Sequence, residues 1–159
     1  MINSVNRFEN NGVLDALDWA ILEALQKDAR LSFSELGRRV NLSQPAVTER
    51  VKKLEKAGII MGYRAHVDFN RLGLPIFATI GLTLSGAEEQ FLERINEMPA
   101  IYECLTVTGD DCYKLRARVA SIEALERLMK KLGQYGKTTT SIVLSTPLQR
   151  HMVTKAHFD

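Results

Sequence analysis

Asn41-Leu42-Ser43-Gln44-Pro45-Ala46-Val47-Thr48-Glu49-Arg50-Val51-Lys52-Lys53-Leu54-Glu55-Lys56-Ala57-Gly58 is the stretch on which the fold turns. Ser43 is a natural helix N-cap, Pro45 is tolerated in the first turn because its missing N–H would be unbonded there, and Gly58 ends the helix. Val47, Val51 and Leu54 recur at helical spacing and define an inward face. At about 100° per residue, Pro45, Glu49, Lys52, Lys53 and Lys56 then point outward, with Gln44, Thr48 and Arg50 on the flanks. The outward set is mostly cationic.

Upstream, Ser32 and Glu35 have capping-box spacing, and Phe33, Leu36 and Val40 supply the buried stripe of a short helix ending near Asn41. Before that, Leu14, Leu17, Ile21, Leu22 and Leu25 form the stripe of a helix over residues 15–27, with Asp15 and Asp18 near its positive end. The three helices are expected to bury Leu17, Ile21, Leu25, Phe33, Leu36, Val40, Leu42, Val47, Val51 and Leu54 together. Two helices joined by the turn Asn41-Leu42-Ser43, the second of them basic, have the layout of a helix-turn-helix whose second helix enters the DNA major groove.

That layout assigns roles. Gln44, Thr48 and Glu49 lie where base edges are read: Gln can pair adenine in two places and Glu can accept from cytosine N4. Arg50, Lys52, Lys53 and Lys56 suit phosphates, and Arg30, Arg38, Arg39 and Arg64 extend that footprint. Ser43 is a cap first and a phosphate contact second. Glu49 and Glu55 have another use in pairing with Lys52, Lys53 or Lys56, which for Glu55 is the preferred reading.

The charge distribution agrees. The 159 residues carry a formal net charge of only +2. Residues 30–64 nevertheless hold eight Lys and Arg against three Glu, a net +5, while residues 1–29 stand at −3 and the remainder balances. A local cationic excess is what phosphate binding requires, although a solvated helix face would look the same. No apolar run reaches the roughly 18 residues of a membrane span, and Met1–Gly12 is polar, so a soluble cytoplasmic protein with a flexible arm over residues 1–12 is expected. Cys104 and Cys112, with His66, His151 and His157, make neither a disulfide framework nor a zinc set. No nucleophile with a nearby base and no glycine-rich phosphate loop is present, so neither an enzyme nor a cofactor is expected.

Beyond Gly58 an extended segment runs to Asp68, and Arg71–Pro75 marks a boundary. The second half alternates strand and helix. Ile76–Leu84 is a strand, Ser85 and Glu88 precede a helix carrying Phe91, Leu92, Ile95 and Met98, and Ile101–Val107 is again a strand. Gly109 and Asp110 turn into a strand with Tyr113, Leu115, Ala117 and Val119 alternating. Ser121 caps a helix with Ile122, Leu125, Leu128, Met129 and Leu132, and Ile142–Leu144 is the last strand. The order βαββαβ is a split βαβ arrangement, making the chain α+β overall. By alternation Thr79, Gly81, Thr83, Cys104, Thr106, Lys114, Arg116 and Arg118 face away from the helices, giving a small, polar-to-basic open face. Residues past Gln149 read as a loose polar tail. Trp19 lies roughly opposite the stripe of its helix, which places it against either a partner chain or a returning residue 1–12 arm.

Leu14-Asp15-Ala16-Leu17-Asp18, Ile21-Leu22, Gln26-Lys27-Asp28-Ala29-Arg30, Glu35-Leu36-Gly37, Leu42-Ser43, Arg50-Val51-Lys52-Lys53-Leu54-Glu55, Gly58-Ile59-Ile60 and Gly62-Tyr63 resemble the Lrp/AsnC family of transcriptional regulators over nearly the whole chain. The resemblance implies a winged helix-turn-helix over residues 13–64, a linker strand or hinge over 65–75, a ferredoxin-like effector-binding and oligomerisation domain over 76–150, and a tail over 151–159. It implies double-stranded DNA as partner, a homodimer with stacked sheets that assembles into octamers or other multimers of dimers, and no membrane association. It further implies an amino acid or related effector near Thr108, Gly109, Asp110, Asp111 and Cys112, with Thr138, Thr139 and Thr140 as further contacts. The family pattern has Asp where Cys112 stands, and Asp110 or Asp111 could supply that carboxylate. The threonines also read as a simple strand entry, and Cys112 as a small strand residue without a redox role. Within the family, a weakly specific DNA-wrapping protein is the alternative to a sequence-specific regulator. An RNA-recognition module, which would stack bases on sheet aromatics, is disfavoured because only Tyr102 is available on the open face.

Overall fold

A computed structural model of the chain describes residues 14–86, 88–148 and 152–157; the arm expected over residues 1–12 lies outside them. The chain divides into two compact units between Ala65 and His66, with the described tail residues grouped with the first.

The N-terminal unit contains α1 (Ala16–Lys27), α2 (Phe33–Val40) and α3 (Gln44–Lys56). Each begins on an oxygen-bearing cap, which satisfies amide groups that have no partner within the helix. Asp15 accepts from Leu17 and Asp18 in a full capping box, while Ser32 and Ser43 accept from Glu35 and Ala46. Asn41 closes α2 in the left-handed region at φ 56°. The core consists of Ile21, Leu22, Leu25, Leu31, Leu36, Val40, Val47, Val51 and Leu54. Ile21, Leu22 and Leu25 are buried while Leu17 lies outside this core, so the buried side of α1 turns toward Trp19, which packs half-buried against it, and Phe33 stands 36% exposed. Residues 57–75, where a wing and a linker strand were expected, contain no strand. The positive φ angles of Gly58 and Gly62 turn the backbone there.

The second unit has the element order β1 (Ile76–Leu84), α4 (Glu88–Ile95), β2 (Ile101–Thr106), β3 (Tyr113–Val119), α5 (Ile122–Leu132) and β4 (Gly136–Ile142). The sheet is antiparallel throughout in the order β2-β3-β1-β4. Phe91 from α4 and Leu125, Leu128 and Leu132 from α5 bury against Ala78, Ile80, Leu82, Tyr113, Leu115, Ala117 and Val119. This is the ferredoxin-like βαββαβ sandwich that the alternation of elements implied.

Three local details differ from the sequence expectation. The last strand is Gly136–Ile142, so the threonine run lies inside it; β-branched threonines suit an edge strand even without apolar alternation. Ser85 donates its hydroxyl to the Tyr135 carbonyl at 3.3 Å instead of capping α4. In β2, Ile101 stands opposite Ala117 but Glu103 opposite Arg116, so one extra residue bulges the strand. A bulge reverses the parity of everything after it. Cys104 and Thr106 therefore pair with the core residues Leu115 and Tyr113, and Glu103 and Leu105 take their places on the open face. That face is also less basic than alternation suggests: Glu103 pairs with Arg116 at 3.1 Å, and the Arg118 guanidinium lies 4.4 Å from the Phe77 ring centroid.

The tail is anchored. Val153 donates its N–H to Gln26 Oε1 at 2.7 Å and accepts from Gln26 Nε2 at 2.9 Å, a reciprocal pair that fixes it to α1. Lys155–His157 forms one 3₁₀ turn.

Candidate DNA-reading helix and effector loop

Val47, Val51 and Leu54, at most 3% exposed, turn one side of α3 to the core and leave its other side to solvent. Gln44, Pro45, Thr48, Glu49 and Lys52 line one shallow depression of about 610 Å³ on that side. The turn before α3 is tight because Leu42 N–H closes on the Gly37 carbonyl at 2.9 Å.

Not every side chain on this surface is equally available. Thr48 donates its hydroxyl to the Gln44 carbonyl at 2.8 Å, leaving its methyl and an acceptor oxygen to face outward. Glu49 pairs with Lys53 at 3.0 Å, and that ammonium holds its carboxyl below the usual carboxylate range. Glu55, expected to pair with a lysine, instead accepts from the Tyr63 hydroxyl at 3.1 Å. Ser43 is used as the α3 cap. Among the described residues, Arg30, Arg38, Arg39, Lys52, Lys56 and Arg64 form no ion pair, and all six side chains are exposed.

Arg50, expected to suit phosphate, is paired with two carboxylates. One guanidinium nitrogen lies 2.7 Å from both Asp15 and Asp18. Arg50 sits on the flank of α3 that faces the start of α1, so the two carboxylates reach it before solvent does. The Asp15 carboxyl is held below its ordinary value chiefly by the Asp18 N–H, with Arg50 adding to the effect. The Asp18 and Asp15 hydrogen bonds raise the Arg50 guanidinium further still. The Asp15-x-x-Asp18 spacing could have signalled the capping box, but nothing local in the sequence links it to a residue 32 positions away.

The effector candidates divide between the two sides of the sheet. Thr108, Gly109 and Asp110 are exposed in the β2–β3 loop, with Gly109 at φ 121°. Asp110 holds the loop to β1 by accepting from Thr83 Oγ1 at 3.0 Å through its carbonyl. Asp111 lies over Gly81: a Cβ built there would fall 2.5 Å from its Oδ1, and the same carboxylate pairs with Lys114. Thr139 stands opposite Gly81 in the neighbouring strand and shares that open face. Cys112, in contrast, packs against the core. Thr138 and Thr140 stand opposite the buried Leu82 and Ile80, with the Thr140 hydroxyl 2.9 Å from the Met129 sulfur. Asp111 and Thr139 are thus brought to one face and Cys112, Thr138 and Thr140 to the other, because alternation cannot direct three consecutive threonines to one side.

Comparison with known proteins covers both units. Residues 14–55 match the model of the AsnC-type helix-turn-helix domain and residues 77–153 that of the Lrp/AsnC ligand binding domain. The HTH-type transcriptional regulator LrpC of Bacillus subtilis is 42% identical over 133 residues, 83% of this chain and 92% of the relative. The leucine-responsive regulatory protein of Haemophilus influenzae is 38% identical over 153 residues, 91% of this chain and 92% of the relative. The solved structure of B. subtilis LrpC matches with a TM-score of 0.84 at 39% identity, covering 87% of this chain and all of that one. A transcriptional regulator of Neisseria meningitidis in complex with L-methionine matches with a TM-score of 0.84 at 29% identity, covering 92% of this chain and 99% of that one. With both domain models matched in order and close relatives aligned over most of its length, the chain belongs to the Lrp/AsnC family and is a ligand-responsive, DNA-binding transcriptional regulator.

Proposed function

We propose that the outward side of α3 reads a specific operator while an amino acid, bound near the β2–β3 loop, tunes assembly or affinity. The carrying observation is the exposed depression lined by Gln44, Pro45, Thr48, Glu49 and Lys52, backed by a buried opposite face, with Lys52 and Lys56 exposed and in no ion pair among the described residues. Gln44 and Thr48 read base edges; Glu49 does so on parting from Lys53. Lys52, Lys56, Arg38, Arg39, Arg30 and Arg64 hold phosphates. A homodimer sets two such helices about one DNA turn apart, so the operator is roughly palindromic, and dimers assemble further into octamers or other multimers. The setting is cytoplasmic; among the described residues no helix is long and apolar enough to cross a membrane.

The amino-acid class follows from relatives named leucine-responsive and from a neighbour bound to L-methionine. Asp111 is the preferred partner for the effector's ammonium group. It is a half-buried carboxylate on the open face, beside Thr139, whereas Cys112 packs against the core. Lys114, already at Asp111, is suitably charged for the effector's carboxylate.

Fluorescence anisotropy with a fragment of a regulated promoter and with random DNA, at one salt concentration, tests the specific reading. Tighter binding to the promoter supports it, and equal affinities identify a DNA-wrapping role instead. A thermal-shift panel of the twenty amino acids tests the sensing half, since a ligand of the folded state raises apparent stability. No response to any of them would leave the second unit as an assembly module.

A further inference from the structure

We propose that Arg50 is a positioning residue of the DNA-reading helix, held in a carboxylate socket made by the N-cap of α1, and that it makes no phosphate contact. The inference rests on the reading of α3 as the element that meets DNA.

The socket uses each carboxylate twice. Asp15 Oδ1 accepts from the Leu17 and Asp18 amides at 2.8 Å each, while its Oδ2 accepts from Arg50 at 2.7 Å. Asp18 Oδ2 accepts from the Asp15 amide at 3.2 Å, and its Oδ1 accepts from Arg50 at 2.7 Å. The carboxylates are therefore already oriented by helix capping before Arg50 arrives, so little ordering is left to pay for when the pair forms. The Arg50 and Asp18 side chains are 29% and 19% exposed and that of Asp15 is 49% exposed, so Asp18 is the sheltered partner of the two.

Two consequences follow. Electrostatically, Arg50 is more than neutralised, and a phosphate approaching it would meet two carboxylates. The cationic surface offered to DNA is therefore smaller than the count of Lys and Arg in α3 suggests. Geometrically, Val47, Val51 and Leu54 seat α3 by apolar contact, which is non-directional and holds an angle less strictly than a hydrogen bond does. Turning α3 by about 20° would move its outer side chains by roughly 2 Å, more than a base-edge hydrogen bond tolerates. A directional contact on the flank removes that freedom and aims Gln44, Thr48 and Lys52 together.

The test uses the full-length protein, promoter and random DNA fragments, and affinities measured across a salt series. Four proteins are compared: wild type, Arg50→Gln, the double variant Asp15→Asn with Asp18→Asn, and Lys52→Ala as the phosphate-contact reference. Asn caps a helix as well as Asp does, so the double variant keeps α1 capped while removing the socket's charge. Circular dichroism confirms folding, and if Arg50→Gln does not fold, the Asn double variant decides alone.

The expected result is that Arg50→Gln and the Asn double variant each lower the promoter-to-random affinity ratio by about tenfold and leave the slope of log K against log salt as in wild type. Lys52→Ala should reduce that slope by about one while leaving the ratio unchanged. A slope reduced by about one in Arg50→Gln, together with tighter binding in the Asn double variant, would mean that Arg50 reaches phosphate and would overturn the proposal. If Lys52→Ala also leaves slope and affinity untouched, the assignment of α3 to DNA falls, and the proposal with it.

Discussion

A methyl group added at position 37 would lie 2.6 Å from the Leu42 carbonyl oxygen, and that oxygen belongs to the turn that sets α3 against α2. Gly37→Ala should therefore destabilise the N-terminal unit by about 1 to 3 kcal/mol, seen as a lower thermal midpoint by circular dichroism; an unchanged midpoint would mean that the turn can yield. In the second unit, buried Tyr113 donates its hydroxyl to Glu88, and that bond together with burial pushes its pKa to about 12. The folded protein thus holds this proton more tightly than the unfolded chain, where the phenol titrates near about 10. The resulting stability is complete below pH ~10 and drains as pH rises toward ~12. Absorbance at 295 nm should show one of the four tyrosines ionising last, together with alkaline unfolding. Tyr113→Phe should abolish that late component.

Elements were legible in the sequence where apolar spacing and capping agreed, and less so elsewhere. The three helices of the first unit follow from Val47-Val51-Leu54, Leu36-Val40 and Ile21-Leu25, whose periodicity matches what is buried. The β2 bulge was not legible: it depends on how Tyr102 and Glu103 meet β3, and it moved Cys104 and Thr106 to the helix side. The threonine strand was missed for a related reason, since alternation is invisible when both faces carry the same residue. In the candidate site, the outward set of α3 was readable from helical geometry alone. The pairing of Arg50 with Asp15 and Asp18 was not, because it joins two helices. Gln44→Ala should relax preference at one base position and leave the other positions unchanged, as read by binding to a set of single-base operator variants.

At the scale of the whole molecule, the formal charge of +2 conceals a division of labour. A cationic helix-turn-helix unit with its own core precedes a sensing unit with a separate core, and the tail after that second unit is hydrogen-bonded to α1 through Gln26. Gln26→Ala should release Val153 and lower the stability of the first unit by about 1 kcal/mol, measured as faster hydrogen exchange in α1; unchanged protection would show that the tail contributes nothing there. Contact with DNA through the exposed cations beside the α3 depression would show itself in the salt dependence of DNA affinity for wild type and Lys52→Ala on the same fragment. Wild type should show a steep fall in log K with log salt, and the variant a slope shallower by about one with weaker binding to every DNA. Identical affinities and slopes for the two proteins would contradict it.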